Sequence, residues 1–375
     1  MGGNGGFSEE SLREFGRAIM AVSQGRCLSR GEAKELYRQI LLGEQPEFAQ
    51  GAFLAAHMAR GPSPAEIAGA WEAQMDYDVE TIAPELPEAS ADIVGTGSDA
   101  LKTINVSSGA AVVAAAAGAY VAKKGARAAT GVSGASDIFE AFGVDLEADL
   151  ARAAESLKAH RLCYLPGEKW LRAGWGRLIR YLRFTSIFNL ACPLLMPCRT
   201  TKHLVIGAFS APLARQLVEI CREIGMEAAL GVYGRSDAHP PEEGMDEISV
   251  CGTTRVVELR HGTITEYDLR PDDLGLPLRP FAEIAAEPDV RENARALLAV
   301  LRGRADGARA EVLAANAGAV LYLLGRAGSW PQAVGQAREA LATGRALEVL
   351  RGVVAVQQRR AGAGLPRLEE MLREA

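Results

Sequence analysis

The stretch "ADIVGTGSDALKTINVSSGAAV", Ala91 to Val112, decides how this chain is read. A short apolar run ends at Ile93-Val94. The glycine turn Gly95-Thr96-Gly97-Ser98-Asp99 follows, and then hydroxyl and amide residues introduce an alanine-rich segment. Strand, glycine turn and helix start, in that order, can make an anion site. Gly95 and Gly97 let backbone N–H groups come close to an anion, and Ser107 or Ser108 can cap the helix whose positive end faces the same point. The stretch is neither a Walker loop nor G-x-G-x-x-G, and the same residues serve equally well as a tight turn and a helix cap with no ligand. Its fourth turn position is Ser98, which is strained if the backbone there needs a positive φ.

Outward from this stretch, the sequence predicts two architectures. Up to about residue 82 it is helical: Ser29-Arg30-Gly31-Glu32 and Ser63-Pro64-Ala65-Glu66 read as capping boxes, and Leu36, Ile40 and Leu41 repeat at helical spacing. Residues 1–7 read as a flexible leader, and Pro84 to Ser90 as a hinge. Beyond it, Ile93-Val94, Tyr120–Ala122, Leu162–Leu165, Leu204–Ile206 and Ala228–Val232 read as strands separated by helices such as Ser210–Ile224. That alternation predicts βαβ units and a mostly parallel sheet. Val256–Leu259 and Thr263–Tyr267 flank His261-Gly262 as a hairpin, and the last hundred residues are helical again. The expected fold class is α/β. A helical domain spans residues 1–82 and a large α/β domain residues 83–375, with about 166–200 able to pack back on the helical part.

Charge and cysteine usage narrow the partners. Lys and Arg number 41 against 47 Asp and Glu, a net charge of −6, which disfavours an extended nucleic-acid footprint. The six cysteines form no C-x-x-C pair or zinc-spaced cluster, so a reduced, cytoplasmic protein is expected. The longest uncharged apolar stretch, Gly109–Ala122, has 14 residues, short of the ~20 that span a bilayer, and no signal-peptide pattern precedes it.

Three further loops have chemistry to offer. Lys123-Lys124-Gly125-Ala126-Arg127, just past a predicted strand, precedes a second Ser/Gly turn, Gly131 to Asp137. Both are expected on the sheet edge where α/β proteins bind ligands, with Lys123 as a point charge. The acidic loop Glu242-Glu243-Gly244-Met245-Asp246-Glu247 offers adjacent carboxylates, which can share Mg²⁺ with phosphate oxygens. Taken singly, each loop also fits a solvated surface turn.

Together, these elements resemble the anthranilate phosphoribosyltransferase family, which carries G-T-G-G-D, N-x-S-T, K-H-G-N-R, S-G-S-A-D and a D-E pair. Here they stand as Gly95 to Asp99, Asn105 to Ser108, Lys123 to Arg127, Ser133 to Asp137 and Asp246-Glu247. The similarity extends through Ile187–Leu190, Ile248–Leu259 and "NAGAVLYLLGRAGSWPQAVGQAREAL", covering nearly the whole chain. The resemblance implies transfer of ribose 5-phosphate from 5-phosphoribosyl 1-pyrophosphate (PRPP) to an aromatic amine. It implies PRPP contacts from Gly95, Thr96, Gly97, Asp99, Thr103, Asn105, Ser107, Ser108, Lys123, Gly125 and Ser133. It further implies Mg²⁺ held by Asp246 and Glu247 with Ser107, and a homodimer formed through the helical domain.

The acceptor side departs from the family. Lys124 and Ala126 replace the family's His and Asn, and Glu168-Lys169-Trp170-Leu171-Arg172 replaces H-H-P-A-M. Thr185 stands where the family has the arginine that pairs with the anthranilate carboxylate, and Cys192 replaces the glycine of G-P-L. Losing that arginine is not conservative, because a buried carboxylate needs a paired charge. The expectation is a PRPP-dependent transferase for an aromatic or heteroaromatic acceptor other than anthranilate in its usual binding mode. Lys124, Lys169, Arg172, Arg180 and Arg183 are candidates to rebuild an anion site, and Trp170 and Trp175 to stack on a flat acceptor. The alternatives are a genuine anthranilate phosphoribosyltransferase, a nucleoside phosphorylase, and a catalytically silent relative acting in binding or regulation.

Overall fold

The computed structural model describes residues 7–128, 132–172, 174, 182, 186–303 and 306–375. They form two compact units: Met1–Glu80 with Leu171–Pro197 and Glu219–Gly225, and Thr81–Trp170 with Cys198–Val218 and Met226–Ala375.

The first unit is built on helices α1 (Glu9–Ser23), α2 (Arg30–Leu42), α3 (Glu47–Arg60) and α4 (Pro64–Tyr77). Ser29 and Ser63 start α2 and α4 as capping boxes, with Glu32 and Glu66 reaching back to the cap N–H groups. Phe15, Tyr37, Phe53 and Phe188 interlock at its centre, Tyr37 lying edge-on to Phe188 at 5.5 Å. A polar cluster is buried beside them. Glu66 accepts two bonds of 2.6 Å from Arg60 and one from the Leu28 N–H, while His57 stands 3.4 Å from it and bonds the Tyr37 hydroxyl at 3.0 Å. Burial works against the Glu66 charge, but the bonds from Arg60 and the Ser63 and Leu28 N–H groups outweigh it and hold its pKa at about 2.

The second unit carries a sheet in the order β3-β2-β1-β4-β5-β7-β8. Strands β1 (Ser90–Gly95), β2 (Val121–Gly125), β3 (Leu162–Pro166), β4 (Thr201–Gly207) and β5 (Ala228–Arg235) are parallel. β7 (Thr254–Arg260) and β8 (Thr263–Leu269) close one side antiparallel, and the short β6 (Gly244–Met245) pairs with β5. The β7–β8 turn has φ 51° at His261 and 75° at Gly262, the two positive angles a two-residue hairpin of this twist requires. At the other edge, the Gln357 amide accepts from the Tyr164 N–H and donates to its carbonyl, both at 2.8 Å, so a side chain pairs the free face of β3.

Helix α5 (Val106–Ala116) follows β1 and is almost wholly buried against the Ala308–Leu323 helix; its Ala, Gly and Val residues are small enough for that close packing. β2 extends further than the sequence suggests. Lys123 and Lys124 are strand residues, not loop residues, and alternate to opposite faces of the sheet. Among the described residues no helix is long and apolar enough to cross a membrane.

Candidate functional site

The carboxyl ends of β1 and β2, the start of α5 and the acidic loop converge on one pocket of about 340 Å³. Gly95, Thr96, Gly97, Asp99, Thr103, Asn105, Ser107, Lys123, Gly125, Ser133, Asp246 and Glu247 all line it. These residues come from four separate stretches of chain, and the sequence singles out each of them. Ser108 is the exception: it is buried in α5, does not line the pocket, and its hydroxyl has no partner among the described residues.

The acidic loop reaches the pocket because glycines end the neighbouring strands. A Cβ on Gly207, the last residue of β4, would lie 1.6 Å from the Asp246 carbonyl oxygen, and one on Gly95 would lie 2.2 Å from the Asp246 carboxylate. Only bare backbone lets the loop cross the sheet there. The Gly97 N–H, expected from the sequence to face an external anion, instead donates to Asp246 Oδ2 at 2.7 Å. The turn therefore grips the acidic loop, and its φ of 67° at Gly97 continues into 62° at Ser98.

Burial dominates the electrostatics of the pocket's acidic pair. Burial and the nearby Asp99 carboxylate push Asp246 up to about 6, against the pull of the Gly97 N–H and Lys102. Burial, Asp246 and Asp99 push Glu247 well above its usual range, with Lys123 and the Ser107 N–H opposing. Lys123 is fully buried and donates to the Lys124 carbonyl at 2.6 Å; burial lowers its pKa to about 8, while Asp92, Glu247 and Asp246 hold it up. Lys102 bonds Asp99 at 2.6 Å. Hard carboxylate oxygens crowded together suit a small divalent cation. Among the described residues no three His, Cys, Asp or Glu side chains form a ready ligand cage.

Three polar anchors shape the rim. Asn105 makes no cap bond to α5; its side chain instead holds Ser133, donating to the backbone carbonyl and accepting from the hydroxyl at 2.5 Å. Asp137, in helix α6 (Ala135–Ala141), accepts from the N–H groups of Ala128 and Gly134 and pairs with Arg127. Glu168 accepts from the Arg127 N–H at 3.0 Å and from Ser136 at 2.9 Å, with Ser136 bonded to Tyr164.

The acceptor candidates do not assemble in the same way. Lys124 bonds Asp92 at 2.5 Å inside the sheet, both side chains buried, so its charge is already neutralised and it does not line the pocket. Trp170 is buried with its indole N–H on the Leu165 carbonyl, so its ring is not offered to a flat ligand, which corrects that expectation. Ala126 lines the exposed rim, Lys169 is half-buried, and Arg172 is exposed. Cys192 accepts from Gln74 at 3.4 Å, and burial pushes its thiol up to about 12. Trp175, Arg180, Arg183 and Thr185 lie outside the described residues.

Sequence reasoning does not assign these roles to Asp92, Lys102 or Glu168. Asp92 leaves a signal, being the one charge in the apolar run Ala91–Val94, since an acid buried there needs a partner. Glu168 leaves none, because its bonds depend on how β3 ends.

Comparisons with known proteins agree with this architecture. Residues 88–347 match the a/b domain of a glycosyl transferase family, and residues 16–77 match that family's helical bundle domain. An anthranilate phosphoribosyltransferase from Shewanella putrefaciens is 36% identical over 334 residues, covering 87% of this chain and 92% of the relative. The crystal structure of anthranilate phosphoribosyltransferase from Thermus thermophilus superposes with a TM-score of 0.81 at 32% identity, over 91% of this chain and 99% of that one. The Saccharomyces cerevisiae enzyme, solved in complex with PRPP and Mg, shares the fold at a TM-score of 0.80 and 24% identity, over 93% and 98% of the two chains. The chain belongs to this glycosyl transferase family, and within it to the phosphoribosyltransferases with the anthranilate phosphoribosyltransferase fold.

Proposed function

We propose that this protein is a Mg²⁺-dependent transferase that moves ribose 5-phosphate from PRPP to an aromatic or heteroaromatic acceptor other than anthranilate in its usual binding mode. The observation that carries this reading is the single pocket shared by the Gly95–Asp99 turn, the start of α5, Lys123 and the Asp246–Glu247 pair. The yeast relative's complex with PRPP and Mg supports the choice of donor.

The chemistry suits these residues. Breaking the bond to pyrophosphate leaves an electron-poor ribosyl centre and a leaving group that gains charge. The N-terminus of α5 and the buried Lys123 ammonium would stabilise that charge as it develops. Mg²⁺ held by Asp246 and Glu247, with Ser107 beside them, would neutralise phosphate oxygens when bound. Asn105 and Ser133, locked to each other, would keep the phosphate-facing rim in place. An aromatic amine is nucleophilic without further activation, so positioning supplies much of the rate.

The acceptor half supports a changed substrate. Ala126 has no amide to offer, Lys124 is committed to Asp92, and Glu168 puts a carboxylate at a position where the family has histidine. The relatives' shared name favours the second reading, a genuine anthranilate enzyme. Steady-state assays with PRPP, Mg²⁺ and anthranilate separate the two. The expected result is PRPP-dependent thermal stabilisation that EDTA abolishes, with negligible turnover of micromolar anthranilate. Efficient turnover would establish the second reading; no response to PRPP would return the silent-relative alternative. We also propose a homodimer formed through the helical unit, which exposes Met20 and Phe48.

A further inference from the structure

The acidic pair is held from behind by a residue that never reaches the pocket. Asn316 sits mid-way along the Ala308–Leu323 helix and is 1% exposed. Its Oδ1 accepts from the Ile248 N–H at 2.9 Å, and its Nδ2 donates to the Ile248 carbonyl at 3.0 Å and to the Val312 carbonyl at 2.9 Å. One side chain thus brackets both peptide groups of the residue that directly follows Glu247. The N–H it holds belongs to the Glu247–Ile248 peptide, so the plane from which the Glu247 side chain departs is tied to a buried helix.

Further bonds fix the loop on either side. The Ser249 hydroxyl donates to the Arg235 carbonyl at 2.6 Å, the Ser249 N–H donates to the Thr254 hydroxyl at 2.9 Å, and Asp246 is held by Gly97. We infer that Asn316 is a positioning residue, setting the direction in which Asp246 and Glu247 face the pocket and thereby the affinity for a divalent cation with a polyphosphate. Two carboxylates that repel each other in a buried pocket would turn apart if the backbone allowed it. A clamp on the next peptide removes that freedom, so both stay turned toward one ligand. A purely structural role, satisfying buried backbone groups, predicts a loss of stability and nothing more.

Gln357 supplies the control. It is an equally buried amide that brackets Tyr164 in the same manner, on the far strand of the sheet and away from the acidic loop. The experiment titrates Mg²⁺ against the full-length protein at saturating PRPP and follows the melting temperature for wild type, Asn316→Leu and Gln357→Leu. Asn316→Ala, which leaves room for water to replace the lost bonds, is carried in parallel in case the leucine variant does not fold. The inference rests on the PRPP reading above. Expected is a rise of about tenfold in the half-saturating Mg²⁺ concentration for the Asn316 variants, as when supports of metal ligands are removed. Gln357→Leu should melt lower with an unchanged midpoint. An unchanged midpoint in the Asn316 variants, or an equal rise in Gln357→Leu, overturns the positioning role alone. No Mg²⁺-dependent response to PRPP in wild type overturns the donor reading and this inference with it.

Discussion

Ser98 occupies a left-handed backbone conformation, φ 62°, in which a Cβ is unfavourable by about 1–2 kcal/mol. Ser98→Gly relieves that strain but loosens the unfolded chain, so stability should change by less than about 1 kcal/mol. PRPP affinity, measured by calorimetry, should hold or improve; a loss of tenfold or more would show that the hydroxyl itself contacts the ligand. Asp246 gives an opposite case. Its carboxyl titrates near 6 rather than 3.8, so the folded chain binds this proton more tightly than the unfolded chain does. Its contribution to stability therefore falls as pH rises from about 4 to about 6. Asp246→Asn keeps an oxygen for the Gly97 N–H and removes the buried charge. At pH 7 without metal, the variant should be more stable than wild type by about 1–3 kcal/mol, while losing Mg²⁺-dependent PRPP binding. A variant that melts below wild type would show that Asp246 holds the loop through its charge.

Among the elements, the helical unit carries its own pH response. His57 in α3 is buried beside Tyr37 of α2 and Glu66 of α4, with Arg60 also bonded to Glu66. Burial holds its pKa below 6.5 despite the Glu66 charge, so the folded unit binds its proton less readily than the unfolded chain. The stability it contributes is complete above pH 6.5 and is lost as pH falls below that value. Glu66, held at about 2, stays ionised throughout this window. Melting curves of wild type and His57→Leu between about pH 5 and 8 should differ in slope. The variant should melt lower at about pH 7.5, since the Tyr37 hydroxyl loses its partner, and lack this additional fall in acid. Parallel curves would assign the acid sensitivity elsewhere. In the α/β unit the rim depends on element ends in the same way, since Asp137 at the start of α6 and Glu168 after β3 both hold the backbone that follows β2.

At the scale of the whole molecule, the proposed homodimer can be tested at Phe48, 82% exposed on the helical unit. Phe48→Glu should shift the mass measured by light scattering from dimer toward monomer with little change in secondary structure; an unchanged mass would place the contact elsewhere. Most of the architecture is legible in the chain. The capping boxes at Ser29 and Ser63, the alternation of apolar runs with helices, and the His261-Gly262 hairpin are local signals, written within a few residues. The residues that line the pocket are legible too, because glycine turns and a helix start carry their chemistry in short spacings. Lys124 and Trp170 defeat a reading from sequence for a common reason: a side chain's direction depends on where its strand ends and what lies behind it. Strand β2 runs on through Lys124, which finds Asp92 across the sheet. By itself, then, the sequence determined the fold class and the stretches of chain that would meet at the carboxyl edge of the sheet, since periodicity and turn chemistry act over short range. Only the tertiary structure decided which groups are already spent on one another, Gly97 on Asp246, Lys124 on Asp92 and Asn316 on Ile248, because those partners lie 149, 32 and 68 residues apart.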